Sequence, residues 1–123
     1  MFVEGVVSVQ SGRDGEAFAE QFLTGKGWRI LARNWRSAGA EVDLVGRDGE
    51  TLVFVEVKLR TSNTFGTAAA AVGRVKQRKI IRASIGYIRK ISHDGPIRFD
   101  VIAIDGKVVN HIPDAFRAEG YTL

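Results

Sequence analysis

The stretch that decides the fold is Thr51-Leu52-Val53-Phe54-Val55-Glu56-Val57-Lys58-Leu59-Arg60. Its β-branched and aromatic residues mark a strand. Successive strand side chains alternate between faces, so Val53, Val55, Val57 and Leu59 share one face. Leu52 and Phe54 begin the other face, which then turns ionic at Glu56 and Lys58. A strand apolar on both faces at one end is expected at the centre of a sheet. A carboxylate and an ammonium about 7 Å apart on its core-side face need a reason, because an unpaired buried charge is costly or neutralises itself. A solvated strand end is the plain alternative, and the neighbouring segments decide between the two.

Immediately upstream, Glu41-Val42-Asp43-Leu44-Val45 reads as a strand and Asp48-Gly49 as a hairpin turn. A two-residue turn at Asp48-Gly49 places Asp43 opposite Phe54 and Glu41 opposite Glu56, all on one face. Like charges opposed or diagonal destabilise a sheet, and Lys58 is the cation at hand. A divalent cation would resolve the conflict, since carboxylate oxygens are what Mg²⁺ accepts.

Further upstream, residues 28–35 read as a first strand that leads into a loop through Gly39. Before it, Ser11 or Asp14 serves as N-cap for a helix reaching about Lys26, which Gly25 and Gly27 stop. Phe18, Ala19, Phe22 and Leu23 form the apolar arc of that helix. Glu16 falls at its edge, where the helix dipole alone would account for an acid. Residues 1–10 carry no fold signal.

Downstream, residues 61–66 are polar and turn-like, and 67–72 are alanine-rich up to Gly73. A long helix is expected over 74–91, with Ile80, Ile81, Ser84, Tyr87, Ile88 and Ile91 on its apolar side and Gln77 inside that arc. Gln77 is either a core amide satisfied by backbone or a group facing the ionic end of the central strand. His93-Asp94-Gly95-Pro96 makes a turn, and 97–104 alternate as a fourth strand with Arg98 and Asp100 on one side. Asp105-Gly106 turns into a strand over 107–112 that Pro113 ends, and Phe116 anchors a surface-lying tail.

At 123 residues the chain is expected to form one domain with a single core. Its charge is uneven. Seven of the 18 basic residues (Arg74, Lys76, Arg78, Lys79, Arg82, Arg89, Lys90) lie on the long helix, which has no acid; the other 11 face 14 acids elsewhere. One basic surface for a polyanion is the expectation, with nucleic acid the usual candidate. The absence of cysteine suits a reducing compartment. The first ten residues lack a basic n-region and no apolar run approaches membrane-spanning length, so a cytoplasmic protein without membrane contact is expected.

The order of a glutamate on a helix, an aspartate on a strand and Glu-x-Lys on the next strand resembles the Asp…Glu-x-Lys nucleases of the restriction-endonuclease-like fold. It also resembles the archaeal Holliday-junction resolvases. Most of the chain is similar to the YraN family of small bacterial proteins. The matching words are Gly15-Glu16, Gly27, Asn34-Trp35-Arg36, Glu41-Val42-Asp43-Leu44-Val45, Phe54-Val55-Glu56-Val57-Lys58, Lys76-Gln77, Arg98-Phe99-Asp100-Val101 and Asp114-Ala115-Phe116. Departures at Ala40 and Leu59 touch no candidate ligand. The resemblance implies an α/β fold with a central mixed sheet flanked by helices, in the order αβββαββ. It further implies phosphodiester hydrolysis with Mg²⁺ or Mn²⁺ on Asp43 and Glu56 and with Glu16 as a ligand directly or through water. Lys58 would orient water and neutralise the transition state, and Gln77 with Lys76 would position water or phosphate. Arg74, Lys76, Arg78, Arg82 and Arg60 would contact nucleic acid, DNA more than RNA, in a protein that forms a homodimer if it acts on branched DNA as resolvases do. The alternative is a non-catalytic binding module or partner subunit with a vestigial site.

Overall fold

The computed structural model describes residues 12–60, 72–106 and 108–119, with the side chains of Arg13 and Arg60 outside the description. The element order is α1 (Gly12–Gly25), β1 (Arg29–Ser37), β2 (Ala40–Asp48), β3 (Thr51–Arg60), α2 (Arg74–Ile91), β4 (Ile97–Asp105) and β5 (Val108–Phe116). This is the expected αβββαββ arrangement, with a five-stranded mixed sheet in the order β1-β2-β3-β4-β5. β3 is the middle strand, as its two apolar faces require. It runs antiparallel to β2 and parallel to β4. The parallel pairing needs a crossover, and α2 lies within it.

Two separate clusters cover the sheet. The α1 arc of Phe18, Ala19, Phe22 and Leu23 packs on Leu44, Val53, Val55, Ile102 and Ile104, with Val57 and Leu59 beside them. The α2 side buries Leu52, Phe54, Phe99, Val101 and Ala103 under Ile80, Ile81, Ala83 and Tyr87. Phe54, Phe99 and Phe116 stack in a row across β3, β4 and β5, with centroids 5.6 and 5.1 Å apart. Burying three aromatic side chains side by side stabilises the sheet where its strands are otherwise aliphatic. Trp35 fastens α2 to β1: its indole Nε1–H donates to the Ala83 carbonyl at 2.8 Å, and its ring meets Tyr87 edge-on.

Two local expectations need correction. The β2–β3 turn is Gly49–Glu50, not Asp48-Gly49, because Asp48 pairs with Thr51. Gly49 takes φ +62, the conformation for which glycine is suited. The register therefore moves by two residues relative to expectation, and Val45 rather than Asp43 faces Phe54. A shift of two leaves every side chain on its face. The second correction concerns Pro113, which does not end β5; the strand continues to Phe116. β5 is an edge strand, where the missing N–H of a proline can point away from the sheet. Phe116, expected as an anchor, is buried at the end of β5. The expectations for residues 1–11, the turn-like and alanine-rich run 61–71, and the C-terminal residues 120–123 lie outside the described residues.

Candidate functional site

Backbone pairing between β2 and β3 runs from Asp48↔Thr51 to Leu44↔Val55 and stops there. Beyond that point the Val57 N–H donates to Asp43 Oδ2 at 2.8 Å, so a carboxylate takes the place of a strand carbonyl. The pleat of β2 also slips at this residue. Val42 and Val45 both join the cluster under α2, although strict alternation would separate them, while Leu44 joins the cluster under α1. Asn34, between the pairs Arg33↔Leu44 and Trp35↔Val42, has φ +51, which asparagine tolerates better than most residues. The hairpin thus opens at its end, and the Asp43 side chain fills the gap.

Glu56, next to the gap on β3, is 7% exposed. Its Oε1 lies 3.6 Å from Lys76 Nζ on α2, and its Oε2 is buried with no hydrogen-bond partner. Burial, and then the negative charge of Asp43, push the Glu56 carboxyl up to about 7. Burial also raises Asp43, against the pull of the Val57 N–H and Lys76. The expected conflict among carboxylates is therefore present, and the charge of Glu41 still adds to it by raising Asp43, but the pairing differs. Glu41 is not opposite Glu56; it pairs across the β1–β2 ladder with Arg36, whose Nε lies 3.2 Å from Glu41 Oε2. The cation facing the pair is Lys76, from a different element, whereas the expected relief was Lys58. Lys58 is exposed two residues beyond Glu56.

Glu16 is half-buried on α1, next to Gly15, where an added Cβ would lie 3.1 Å from Leu59 Cδ2. The start of α1 thus lies against the far end of β3. Among the described residues no three His, Cys, Asp or Glu side chains are gathered closely enough to hold a metal ion. The structure brings together Asp43, Glu56 and Lys76, and does not assemble Glu16 with the two carboxylates. Gln77 takes the first of its two expected roles: its Nε2 donates to the Val72 carbonyl at 2.8 Å, bracing the entry into α2. Arg74, Arg78 and Arg82 are exposed on α2. Arg74, Gln77 and Arg78 line a cavity of about 500 Å³ with Phe116 and Arg117. The Arg60 side chain lies outside the described residues.

A second ionic group escaped the sequence reading. Asp100, fully buried on β4, accepts two hydrogen bonds from Arg98 at 2.8 and 2.9 Å, one from the Asp114 N–H at 3.0 Å, and contacts His111 Nε2 at 2.8 Å. Burial raises its carboxyl, but hydrogen bonds from His111, Arg98 and Asp114 outweigh that and hold it below its ordinary range. Arg98 also reaches Asp48 at 3.2 Å. This network binds β4 to β5 and to the β2–β3 turn. Its signal in the sequence was an Arg-x-Asp pair at alternate positions in an otherwise apolar strand.

The geometry defines a mixed-sheet α/β protein whose central hairpin ends in a buried glutamate and a half-buried aspartate faced by a lysine. The chain belongs to the uncharacterised protein family UPF0102, whose sequence profile matches residues 15–104. It is 39% identical over 108 residues to a UPF0102 protein of Thermodesulfovibrio yellowstonii, covering 88% of this chain and 96% of that one. A UPF0102 protein of Anaeromyxobacter dehalogenans is 47% identical over 116 residues, with 89% and 85% covered. Another from Geobacter metallireducens is 44% identical over 110 residues, with 85% and 90% covered. The matched span holds Glu16, Asp43, Glu56, Lys58, Lys76 and Gln77. Among the described residues no helix is long and apolar enough to cross a membrane.

Proposed function

We propose that this protein is a metal-dependent nuclease that hydrolyses phosphodiester bonds in nucleic acid, DNA more readily than RNA. The observation that carries this reading is half-buried Asp43 beside buried Glu56, whose Oε2 has no hydrogen-bond partner. Two adjoining carboxylates with an unsatisfied oxygen suit a hard divalent cation. Mg²⁺ commonly takes one or two protein carboxylates and completes its shell with water and substrate phosphate, so a trio including Glu16 is not required. Asp43 and Glu56 would hold Mg²⁺ or Mn²⁺. The bound ion would supply an activated water and offset charge on the phosphate.

Lys58, exposed beside the pair, meets the reacting phosphate and neutralises the charge that builds up on it. Asp43 is positioned for its role by the Val57 N–H. Arg74, Arg78 and Arg82 present cations to the nucleic-acid backbone, contacts that position the substrate without reading its sequence. The test is cleavage of duplex, single-stranded and branched substrates with Mg²⁺ or Mn²⁺. Lys58→Ala should retain fold and nucleic-acid binding and lose about 10²-fold or more in cleavage, ~3 kcal/mol of transition-state stabilisation. Asp43→Asn should lose cleavage together with metal affinity measured by calorimetry.

A second reading is a nucleic-acid-binding module with a non-catalytic site. It is favoured by Lys76, which already faces Glu56 in the structure. Nucleic-acid binding without metal uptake at millimolar concentration, and without cleavage of any of the three substrates, would select it.

A further inference from the structure

We propose that Lys76 is the resident counter-ion of the carboxylate pair, that a divalent cation displaces it, and that the displaced lysine then engages the substrate phosphate. This rests on the metal-site reading above and assigns Lys76 a positioning role that couples metal loading to phosphate binding.

The pair needs a cation. Glu56 is nearly enclosed, and it shares its surroundings with a second carboxyl group. Lys76 acts on both Asp43 and Glu56. Yet it is a loose partner. Its Nζ stands 3.6 Å from Glu56 Oε1, at the long end for an ion pair, and its side chain is 49% exposed while that of Glu56 is 9% exposed. A divalent ion bonded to carboxylate oxygens sits at about 2.1 Å with twice the charge, so the ammonium cannot compete with it at close range. The two cations also repel each other. A long flexible stem that is half in solvent lets the ammonium leave without disturbing the backbone.

Where the lysine goes is set by α2 itself. The helix Arg74–Ile91 contains no acid, and its first turn has no side-chain cap. Arg74, Arg78 and Lys79 neighbour Lys76 along it. A displaced ammonium therefore meets a cationic strip, and the partner that relieves it is an anion from outside. At the end of β3 that anion is the phosphate of a nucleic acid. Metal binding, by this route, strengthens phosphate binding next to the carboxylates, and the linkage is reciprocal.

The experiment titrates Mg²⁺ and, separately, Mn²⁺ into the full chain by calorimetry, for the parent protein, Lys76→Met and Lys79→Met. Removing the competing cation should tighten metal binding about tenfold in Lys76→Met, equivalent to ~1.4 kcal/mol. Lys79→Met, which removes the same charge from the same helix, should change it much less. Without metal, Lys76→Met should melt at lower temperature than the parent, and saturating Mg²⁺ should remove most of that difference. A Lys76→Arg variant keeps the cation and should restore the metal-free melting temperature. Adding a short single-stranded oligonucleotide should tighten metal binding in the parent and do so less in Lys76→Met. Equal metal affinity in the parent and Lys76→Met, or an equal gain in Lys79→Met, would overturn the counter-ion role and leave the metal site standing. Failure of all the proteins to take up either metal would overturn both.

Discussion

Glu56 is the residue at which the chemistry concentrates. Its carboxyl, ordinarily near 4.5, is raised to about 7, first by burial and then by Asp43. Between those two values the folded protein holds a proton that the unfolded chain has released. Stability is therefore fully present below about pH 4.5 and is lost as pH rises through about 7. At most the loss is about 3 kcal/mol. The raised Asp43 carboxyl acts in the same direction. Metal-free protein should show a urea midpoint that falls between pH 4.5 and 7.5, and Glu56→Gln should flatten most of that dependence. A midpoint rising with pH over this range would mean that Lys76 dominates the pair and keeps Glu56 ionised. The sequence marked Glu56 and Asp43 by their place on a hairpin. It named Lys76 as a phosphate-positioning cation but could not set it against Glu56, because that contact joins positions 20 residues apart through the docking of α2.

At the scale of elements, α2 and its seat on the sheet determine the site. The helix was legible from 74 to 91 in the sequence, since its apolar residues recur at helical spacing and Gly73 precedes them. Its closeness to β1 was not. Gly86 faces Ser37 on β1, and an added Cβ would overlap the Ser37 Oγ and lie 2.8 Å from the Ser37 Cβ. Rotation of the serine can move the Oγ but not the Cβ, so the helix itself would have to lift. Gly86→Ala should therefore destabilise the protein by about 1–3 kcal/mol, despite the ~1 kcal/mol that alanine gains over glycine in a helix. Urea unfolding measures this directly, and a more stable variant would show that α2 docks on β1 with room to spare. The β2–β3 hairpin teaches a complementary lesson. Asp-Gly was a correct turn signal placed one residue too early, and the two-residue shift changed which groups stand opposite without changing which face they occupy.

Over the whole molecule, charge is segregated. The basic helix α2 carries seven cations on a chain whose other residues are acidic on balance. Nucleic-acid affinity should fall with salt at a log–log slope near −0.9 per duplex phosphate contacted. Replacing Arg78 and Arg82 together with alanine should reduce that slope by about 2 and leave metal affinity unchanged. Fluorescence anisotropy at several salt concentrations provides the check, and an unaltered slope would place the polyanion surface away from α2.

The sequence by itself determined the element order, the central place of β3 and the two faces of that strand, because these follow from local periodicity and turn chemistry. It also marked Asp43 and Glu56 as neighbours, since a short hairpin brings them together by chain connectivity alone. The tertiary structure decided what faces them. That Lys76 rather than Lys58 meets Glu56 depends on how distant elements dock, here α2 across the sheet. So does the burial of Asp100 among Arg98, His111 and the Asp114 backbone, which requires β4 and β5 to meet. Contacts of this kind arise from packing between segments distant in the chain, and no local pattern encodes their geometry.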